Sequence, residues 1–398
     1  MGELPWTPDF DYYSTEVAIR HASSQGTFVE VIWADGKNSQ YDVYLLRENS
    51  PEPEIIHPLS REMLISPLDL PPDLEVKSVD VDGNGVLVVE WSTQEVSHFH
   101  PGWLREHAWF KDDSAVSTLP PVTEPIWWDA DKLDVPPSFN GPEMIRNDDE
   151  LLFWLEALSA YGIARMRGLP DEDGLLEQVV RCIGVPRESN FGAQYVLEIK
   201  EDPDSNVFTS GALLQHMDMP TRECPHGLQF LFCRRNSTIG GEGVYVDGFH
   251  VAETLRREQP DMFNTLIETP WVFNNRSQTS DYRAEGPVIT LDSDGALKEI
   301  RLTTWLRAPL KAPLDIQQKA YRAIRTLTRY LQNPDYQLIF RYEPGDLLAF
   351  DNRRILHGRR KYDATVGERF IEGIYADRDE LYSKIRTLRR NKPRRANH

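Results

Sequence analysis

The sequence of 398 residues is poor in cysteine and holds no long apolar run. Its three cysteines are odd in number and show neither the spacing of a disulfide framework nor that of a zinc site, which fits a reducing compartment. No stretch is long and apolar enough to cross a membrane. The first residues, MGELPWTPDFDYY, lack the cationic start and apolar core of a signal peptide. We therefore expect a cytoplasmic protein without a membrane partner.

Positive charge is also scarce, since 44 basic residues face 63 acidic ones and leave a net charge of −19. Phosphate binding needs the opposite sign, so the composition argues against nucleic acid as a partner over most of the chain. The exception is KIRTLRRNKPRR, from Lys384 to Arg395. We interpret this run as the end of a helix followed by a solvated tail.

Turn residues and prolines divide the chain into two domains. Residues 1–118 predict a small antiparallel β domain, because glycines separate strand-like runs between Thr27 and Arg47 and again between Val76 and Trp91. Residues 119–140 are dense in proline, which cannot donate to a strand ladder and disfavours helix, and predict a linker. Residues 141–398 would then form the second, larger domain.

The larger domain is predicted to be mainly β with helical insertions. Asn147 can cap a first helix, a strand follows from Gly162, and residues 171–183 predict a second helix. The second half of the chain holds many short β-rich runs, interrupted by helical patterns near Val251–Glu268 and Leu314–Leu331. This pattern favours a double-stranded β-helix, or jelly roll, over a parallel α/β sheet.

The stretch QHMDMP places His216 and Asp218 on either side of a methionine. Side chains on a strand alternate between its faces, so this pair can offer two ligands to one cation while Met217 turns away into packing. By itself the spacing is common. A further histidine, His357, ends an apolar run near the C-terminus, and Arg369 follows it.

Several motifs in this order resemble the γ-butyrobetaine and trimethyllysine dioxygenase family, which are TauD-like Fe(II)/2-oxoglutarate-dependent oxygenases. They are the His-x-Asp pair, Gly240-Gly241 followed by VDGF, PGD, FDNxRxLHGR, and an RxxEGxYAD-like stretch from Arg369. The resemblance covers nearly the whole chain. It implies a jelly roll that uses Fe(II), 2-oxoglutarate and O₂ to hydroxylate an unactivated C–H bond.

The resemblance also implies roles for particular residues. His216, Asp218 and His357 would be the iron ligands, because two imidazoles and one carboxylate form a facial triad with open positions for a 2-oxo acid and O₂. Arg369 would grip the distal carboxylate of 2-oxoglutarate, which a guanidinium can do with two donors. Thr238, just before the paired glycines, is a second candidate for contact with this co-substrate.

In the resembling family an aromatic cage holds a trimethylammonium group, which cannot donate a hydrogen bond and is attracted to ring faces. The matching positions here are Phe191, Tyr195, Phe208 and Tyr375. Asn206 is a candidate donor to the substrate's anionic end. The family's Asn-Asn pair for that end is replaced by Thr303-Thr304. The sequence therefore does not determine which anionic group the substrate carries.

We expect hydroxylation of a small zwitterionic trimethylammonium substrate, with γ-butyrobetaine to carnitine as the specific hypothesis. Trimethyllysine, a quaternary-ammonium phosphonate or another small zwitterion are the rival substrates. A non-catalytic quaternary-amine-binding protein and a metal hydrolase are alternatives from other classes. The stretch LLRENSPEPEIIHP holds no cysteine where relatives carry a zinc site, so no structural zinc is expected, and the small domain is predicted to serve packing or a homodimer contact.

Overall fold

The computed structural model describes residues 4–111, 121–197, 209–276 and 280–391. The chain divides into two compact units, Met1–Thr118 and Leu119–His398. Within the described ranges, no helix combines the length and the apolar character needed to cross a membrane.

The first unit contains two antiparallel three-stranded sheets, ordered β1-β2-β3 and β4-β5-β6, and two short helices. Alternating residues of the strands are buried, so one face of each sheet contributes to a shared core that includes Trp33, Trp91 and Trp103. In chain order the elements are β1 (Ile19–Ser24), β2 (Phe28–Trp33), β3 (Asn38–Asp42), α1 (Val43–Glu48), a 3₁₀ turn (Pro67–Asp69), β4 (Val76–Val81), β5 (Leu87–Trp91), β6 (Val96–Phe99) and α2 (Pro101–Glu106).

The predicted strand pattern between residues 27 and 47 is only partly right. The hairpin β2–β3 forms, but the run VYLLR is the helix α1 rather than a strand. The Asp42 side chain accepts a hydrogen bond from the Tyr44 amide, which caps the helix and ends the strand. The second predicted pair of runs forms the hairpin β4–β5 as expected.

The second unit is built on a six-stranded sheet, ordered β7-β8-β19-β11-β22-β9, and a four-stranded sheet, ordered β10-β20-β13-β18. Its strands and helices in chain order are β7 (Ser138–Asn140), α3 (Gly141–Met144), α4 (Asp148–Tyr161), β8 (Ile163–Arg167), α5 (Leu175–Ile183), β9 (Tyr195–Leu197), β10 (Leu213–His216), β11 (Leu228–Asn236), β12 (Ile239–Gly240), β13 (Gly243–Asp247), α6 (Gly248–Glu258), α7 (Pro260–Glu268), β14 (Pro270–Arg276), β15 (Asp281–Pro287), β16 (Ile289–Leu291), β17 (Leu297–Ile300), α8 (Leu314–Gln332), β18 (Leu338–Phe340), β19 (Asp346–Asp351), β20 (Ile355–Arg359), β21 (Tyr362–Asp363), β22 (Arg369–Ala376) and α9 (Arg378–Asn391). The prediction of a mainly β domain with helical insertions is confirmed.

Each main sheet has helices on one side. Helices α4 and α5 contact the six-stranded sheet, and α6 contacts the four-stranded one. Residues from both sheets, among them Tyr245, Phe350 and Ile371, belong to one cluster of buried hydrophobic side chains. The predicted linker segment contributes Trp128, whose indole nitrogen donates to the Tyr161 carbonyl oxygen. The functional side chains lie in the space between the two sheets.

The predicted helices form, with two corrections to their bounds. Asn147 caps α4 as expected, through its bond from the Asp149 amide. The helix predicted over residues 171–183 begins only at Leu175, because Gly174 adopts φ +76° and the preceding acidic residues turn outward to pair with Arg234. The insertion near Val251–Glu268 is two helices rather than one, since proline at 260 starts a new helix.

Candidate metal centre and the two cavities beside it

Strands β10 and β20 place two histidines opposite each other. His216 pairs in register with His357, and the ring centroids are 4.3 Å apart. Asp218 follows β10, and its Oδ1 lies 3.2 Å from His216 Nε2 and 3.8 Å from His357 Nε2. One ligand atom from each of the three residues lies within 4.8 Å of the other two. In the described part of the chain, this is the group of histidine and acidic side chains that could hold a metal ion.

The backbone after β10 is fixed by one buried amide. Asn352 accepts from the Asp218 amide and donates to the Asp218 carbonyl oxygen, both at 2.9 Å. His216 Nδ1 lies 2.8 Å from the Leu214 carbonyl oxygen, which can only accept, so Nδ1 carries the proton and Nε2 keeps its lone pair. Met217 is 1% exposed and packs in the core, as the alternation of the strand predicts. These contacts turn one nitrogen and one carboxylate towards a common point.

The carboxylate of Asp218 is held by its second oxygen. Oδ2 accepts hydrogen bonds from Gln229 Nε2 and from the Tyr375 hydroxyl, both at 2.8 Å. Oδ1 faces the two imidazoles instead. The carboxylate can therefore offer one oxygen to a metal while its orientation is maintained from behind, the usual arrangement of ligating groups in proteins.

The charges of the triad suit a cation. Burial alone would raise the pKa of Asp218, but its interactions with His357, and then with His216, outweigh burial and hold the pKa low. Burial, and then the charge of His216, lowers the pKa of His357 to about 3. Near neutral pH the carboxylate is ionised and this imidazole is neutral, which are the forms that bind metal ions.

A cavity of about 60 Å³ opens on one side of the triad, and we call it the arginine cavity. Besides the three triad residues, its walls include two guanidinium groups, two phenols and one amide. These residues are Gln229, Tyr245, Tyr342, Arg359 and Arg369, with Leu231 among the apolar positions.

Arg369 is a residue of this cavity whose guanidinium has buried nitrogens without a hydrogen-bond partner among the described residues. It lies on β22 opposite Asn236, with its guanidinium 5.4 Å from the centre of the Tyr362 ring. Its Nε and Nη1 atoms are buried and have no hydrogen-bond partner among the described residues. Burial lowers the pKa of Arg369, but a guanidinium stays charged in proteins. Unpaired buried donors of a cation are costly, so the position suits an anionic ligand.

Thr238 lies close by but turns to another partner. Its hydroxyl donates to Asn236 Oδ1 at 3.1 Å, and it is not among the residues that line the arginine cavity. Asn236 in turn donates from its amide to the Tyr342 carbonyl oxygen at 2.8 Å. The assignment of Thr238 to the co-substrate stays a prediction.

A second cavity of about 70 Å³ also reaches His216 and Asp218, and we call it the aromatic pocket. Among the described residues, its lining has four aromatic side chains, the amide of Asn275 and no lysine or arginine. The aromatic residues are Phe191, Tyr195, Trp305 and Tyr375. Three of the four predicted cage residues therefore lie together here, whereas Phe208 and Asn206 fall outside the described residues.

The walls of the aromatic pocket are closely packed against one another. The Tyr195 and Tyr375 rings are stacked with centroids 5.1 Å apart, and the Trp305 ring lies 4.7 Å from the His216 ring. Tyr195 pairs in register with Gly373, where an added Cβ would lie 2.1 Å from the Tyr195 ring. The glycine of the EGIYAD stretch is thus needed for the ring of Tyr195 to occupy its place.

Sequence reasoning missed three residues of the site. Asn352 lies in the motif FDNxRxLHGR, but the motif alone indicates no role for its side chain. Trp305 directly follows Thr303-Thr304, where the sequence departs from the family pattern. Gln229 offered a signal that could have been used, because it is a buried polar residue within the apolar run LQFLF. Each acts on the triad or on a pocket wall, through contacts that join distant segments.

Two family models match the chain. The model described as "Taurine catabolism dioxygenase TauD, TfdA family" matches residues 115–375. The model described as "Gamma-butyrobetaine hydroxylase-like, N-terminal" matches residues 20–105. Together they cover parts of both units.

Relatives extend over nearly the full length. A γ-butyrobetaine dioxygenase of Pseudomonas sp. (strain AK-1) is 39% identical over 93% of this chain and 96% of its own. The human γ-butyrobetaine dioxygenase is 28% identical over 91% and 94%, and the chicken mitochondrial trimethyllysine dioxygenase is 26% identical over 91% and 86%. With the triad, these matches confirm the predicted dioxygenase with Fe(II) and 2-oxoglutarate as its cofactors. The chain belongs to the TauD/TfdA dioxygenase family, in the group of the γ-butyrobetaine and trimethyllysine dioxygenases.

Proposed function

We propose that this dioxygenase hydroxylates a C–H bond of a small trimethylammonium zwitterion, with γ-butyrobetaine as the substrate and carnitine as the product. The observation that carries the proposal is the position of the triad between two cavities of opposite character. One offers a buried guanidinium with unpaired donors, and the other offers ring faces with no arginine or lysine among the described residues of its lining. The relative at 39% identity that is named a γ-butyrobetaine dioxygenase supports the choice of substrate.

The residues of the triad fit a ferrous ion. His216 Nε2, His357 Nε2 and Asp218 Oδ1 would hold it, as two imidazoles and one carboxylate with open positions beside them. When bound, iron supplies the redox chemistry that couples decarboxylation of 2-oxoglutarate to hydroxylation of the substrate. Gln229 and Tyr375 keep the Asp218 carboxylate in its ligating orientation through their bonds to Oδ2.

The arginine cavity would take 2-oxoglutarate. Arg369 has two buried donors for its distal carboxylate, and the cavity reaches the triad where the oxo-carboxylate end would meet the metal. A two-donor guanidinium pair with a carboxylate is both directional and strong, which fixes the co-substrate in one orientation. Most of the residues in the walls of this cavity are apolar or buried.

The aromatic pocket would take the trimethylammonium group of the substrate. Each ring face within reach of a desolvated cation contributes roughly 0.5 to 2 kcal/mol. Tyr195, Trp305 and Tyr375 surround the approach to His216 and Asp218, so a cation held there keeps the neighbouring carbons of the substrate near the metal. Asn275 is the amide in this lining that could donate to the anionic end.

The residues near the expected anionic end of the substrate also support a rival substrate of the same chemical type. The anionic end of the substrate meets one amide in the lining, whereas Thr303 is fully buried and its hydroxyl has no hydrogen-bond partner among the described residues. An anionic group other than the γ-butyrobetaine carboxylate, such as a phosphonate or the amino acid end of trimethyllysine, would need a different set of hydrogen-bond partners at this end.

The finer architecture belongs to the same proposal. The six-stranded and four-stranded sheets would be the two halves of a jelly roll, with the triad between them. The domain limits at residues 118 and 140 and a homodimer contact through the small domain remain predictions. Sedimentation of the full chain and of a variant without residues 1–118 would test the dimer contact.

The function is tested by anaerobic reconstitution with Fe(II) and 2-oxoglutarate, followed by oxygen and a panel of amines. The panel contains γ-butyrobetaine, trimethyllysine and a trimethylammonium phosphonate, and the readouts are succinate and the hydroxylated product. We expect γ-butyrobetaine to give the highest kcat/KM. A higher value for another member would transfer the proposal to that substrate. Succinate formation that no quaternary amine stimulates would refute it.

A further inference from the structure

Two tyrosine hydroxyls meet inside the arginine cavity. Tyr245 lies on β13, Tyr342 lies between β18 and β19, and their hydroxyl oxygens are 2.5 Å apart. Both residues line the same cavity as Arg369. Both side chains are almost completely buried. The two phenols therefore form a hydrogen-bonded pair at the wall of the co-substrate cavity rather than at the protein surface.

The pair has one proton more than it uses internally. Each neutral phenol carries one O–H donor, and one of the two protons makes the bond between them. The second proton has no acceptor among the described residues. A buried hydroxyl proton without an acceptor costs free energy, and the cavity is the open space next to it.

The hydroxyl expected from the family pattern is occupied elsewhere. Thr238 donates to Asn236, and Asn236 donates to the carbonyl oxygen of Tyr342. Through this chain Thr238 supports the backbone that carries one of the two phenols, and it is absent from the lining of the cavity. The tyrosine pair, in contrast, lines the cavity and offers a hydroxyl to a ligand held by Arg369.

We infer that the Tyr245–Tyr342 hydroxyl pair is the second anchor of 2-oxoglutarate, donating a hydrogen bond to the distal carboxylate that Arg369 neutralises. This inference rests on the proposed function, which supplies the co-substrate. The bond between the phenols polarises the outer hydroxyl, which makes it a better donor to a carboxylate. The pair would select a dicarboxylic over a monocarboxylic 2-oxo acid.

The test compares two 2-oxo acids on the double variant Tyr245→Phe/Tyr342→Phe. Both hydroxyls are removed together, so neither is left without its partner, and the fold should be retained. With Fe(II) under anaerobic conditions, the visible charge-transfer band reports binding of 2-oxoglutarate and of 2-oxobutyrate, which lacks the distal carboxylate. We expect the Kd for 2-oxoglutarate to rise roughly tenfold or more and that for 2-oxobutyrate to change less than about twofold.

Two control variants separate the inference from its foundation. Tyr330→Phe removes a phenol that donates to Glu258 and lines neither cavity, so it should leave the affinity for 2-oxoglutarate nearly unchanged, whereas Arg369→Met should weaken it severely. Unchanged 2-oxoglutarate affinity in the double phenylalanine variant, or an equal loss in Tyr330→Phe, would overturn the tyrosine anchor alone. Equal losses for both oxo acids would also overturn it, because they would locate the effect at the metal. Full binding by Arg369→Met would instead refute the proposed co-substrate site.

Discussion

The arginine cavity and the aromatic pocket share the triad but offer opposite surroundings. The first holds Arg359 and Arg369 in its walls, and the second holds four aromatic rings with no arginine or lysine among its described lining residues. A dicarboxylate and a quaternary cation would therefore bind in different cavities on either side of the metal. Since His216 and Asp218 belong to both linings, the two ligands would meet only at the ion.

The difference separates the effects of mutations into two groups. Changes in the arginine cavity should alter affinity for 2-oxoglutarate, and changes in the aromatic pocket should alter affinity for the amine. Changes in the triad, or in Gln229 and Tyr375 that hold its carboxylate, should affect both. Predictions on each side of the triad can therefore be checked against the other side, which acts as an internal control.

The largest effect is expected at the triad itself. His357→Ala removes one ligand and leaves Asp218 and His216 with a lower affinity for iron. Loss of an outer partner of a metal ligand already costs up to about a hundredfold, so loss of the ligand should reduce turnover by more than that. Succinate formation and Fe(II) binding measured on the purified variant check this result. Full turnover with a normal thermal unfolding midpoint would remove the metal assignment.

The next effect concerns the arginine cavity alone. Arg369→Met should raise the Kd for 2-oxoglutarate by about 30-fold or more, because a desolvated charge pair is typically worth 2 kcal/mol or above. The KM for the amine, measured at saturating 2-oxoglutarate, should change little. Arg235→Met is a matched control, since Arg235 is half-exposed on the neighbouring strand β11 and pairs with Glu368. Equal effects of the two substitutions would contradict the assignment.

A smaller effect is expected in the aromatic pocket. Trp305→Leu removes the indole that lies 4.7 Å from the His216 ring and should raise the KM for the quaternary amine about five- to tenfold, since one cation–π contact is worth roughly 1 kcal/mol. The Kd for 2-oxoglutarate should stay within about twofold. An uncharged competitor with a tert-butyl group in place of trimethylammonium should lose much less affinity than the amine. Equal losses would show that Trp305 contributes shape rather than attraction to charge.

Much of the site could be predicted because most of its metal-binding and co-substrate-binding residues lie in short sequence motifs. His216 and Asp218 share one strand end, and His357 and Arg369 lie in a single stretch with recognisable spacing. The alternation of strand side chains was enough to place Met217 in the core. These inferences needed only local geometry together with the resemblance.

The remaining parts depend on contacts between distant segments. The bonds of Asn352 to Asp218 and the meeting of Tyr245 with Tyr342 depend on how the strands pair, which local patterns do not specify. The sequence VYLLR resembles a strand, so the helix α1 was not predicted. The cap by Asp42 and the burial of Val43 and Leu46 stabilise the helix instead. Tertiary packing outweighed local preference at each of these positions.

The last effect concerns the pH dependence of stability and should leave ligand binding at neutral pH nearly unchanged. His226 is 2% exposed, stacks on the aromatic-pocket residue Tyr375 at 4.5 Å, and neither ring nitrogen has a hydrogen-bond partner among the described residues. Burial, and then the charge of Arg187, lowers the pKa of His226 to about 4. The ordinary value is about 6.5, so between pH 6.5 and 4 the unfolded chain binds a proton that the folded chain does not. Stability is therefore lost as the pH falls through this range.

His226→Phe keeps the stacked ring and removes the titration. The free energy of unfolding of this variant should fall less steeply than that of the wild type between pH 6.5 and 4, by up to about 3 kcal/mol at the lower limit. At pH 7 the variant should be at least as stable, because two buried nitrogens without partners are removed. Urea unfolding of both metal-free proteins at several pH values measures the difference, in which the similar contribution of His357 cancels. Parallel curves for the two proteins would assign the acid sensitivity to the triad instead of to the wall of the aromatic pocket.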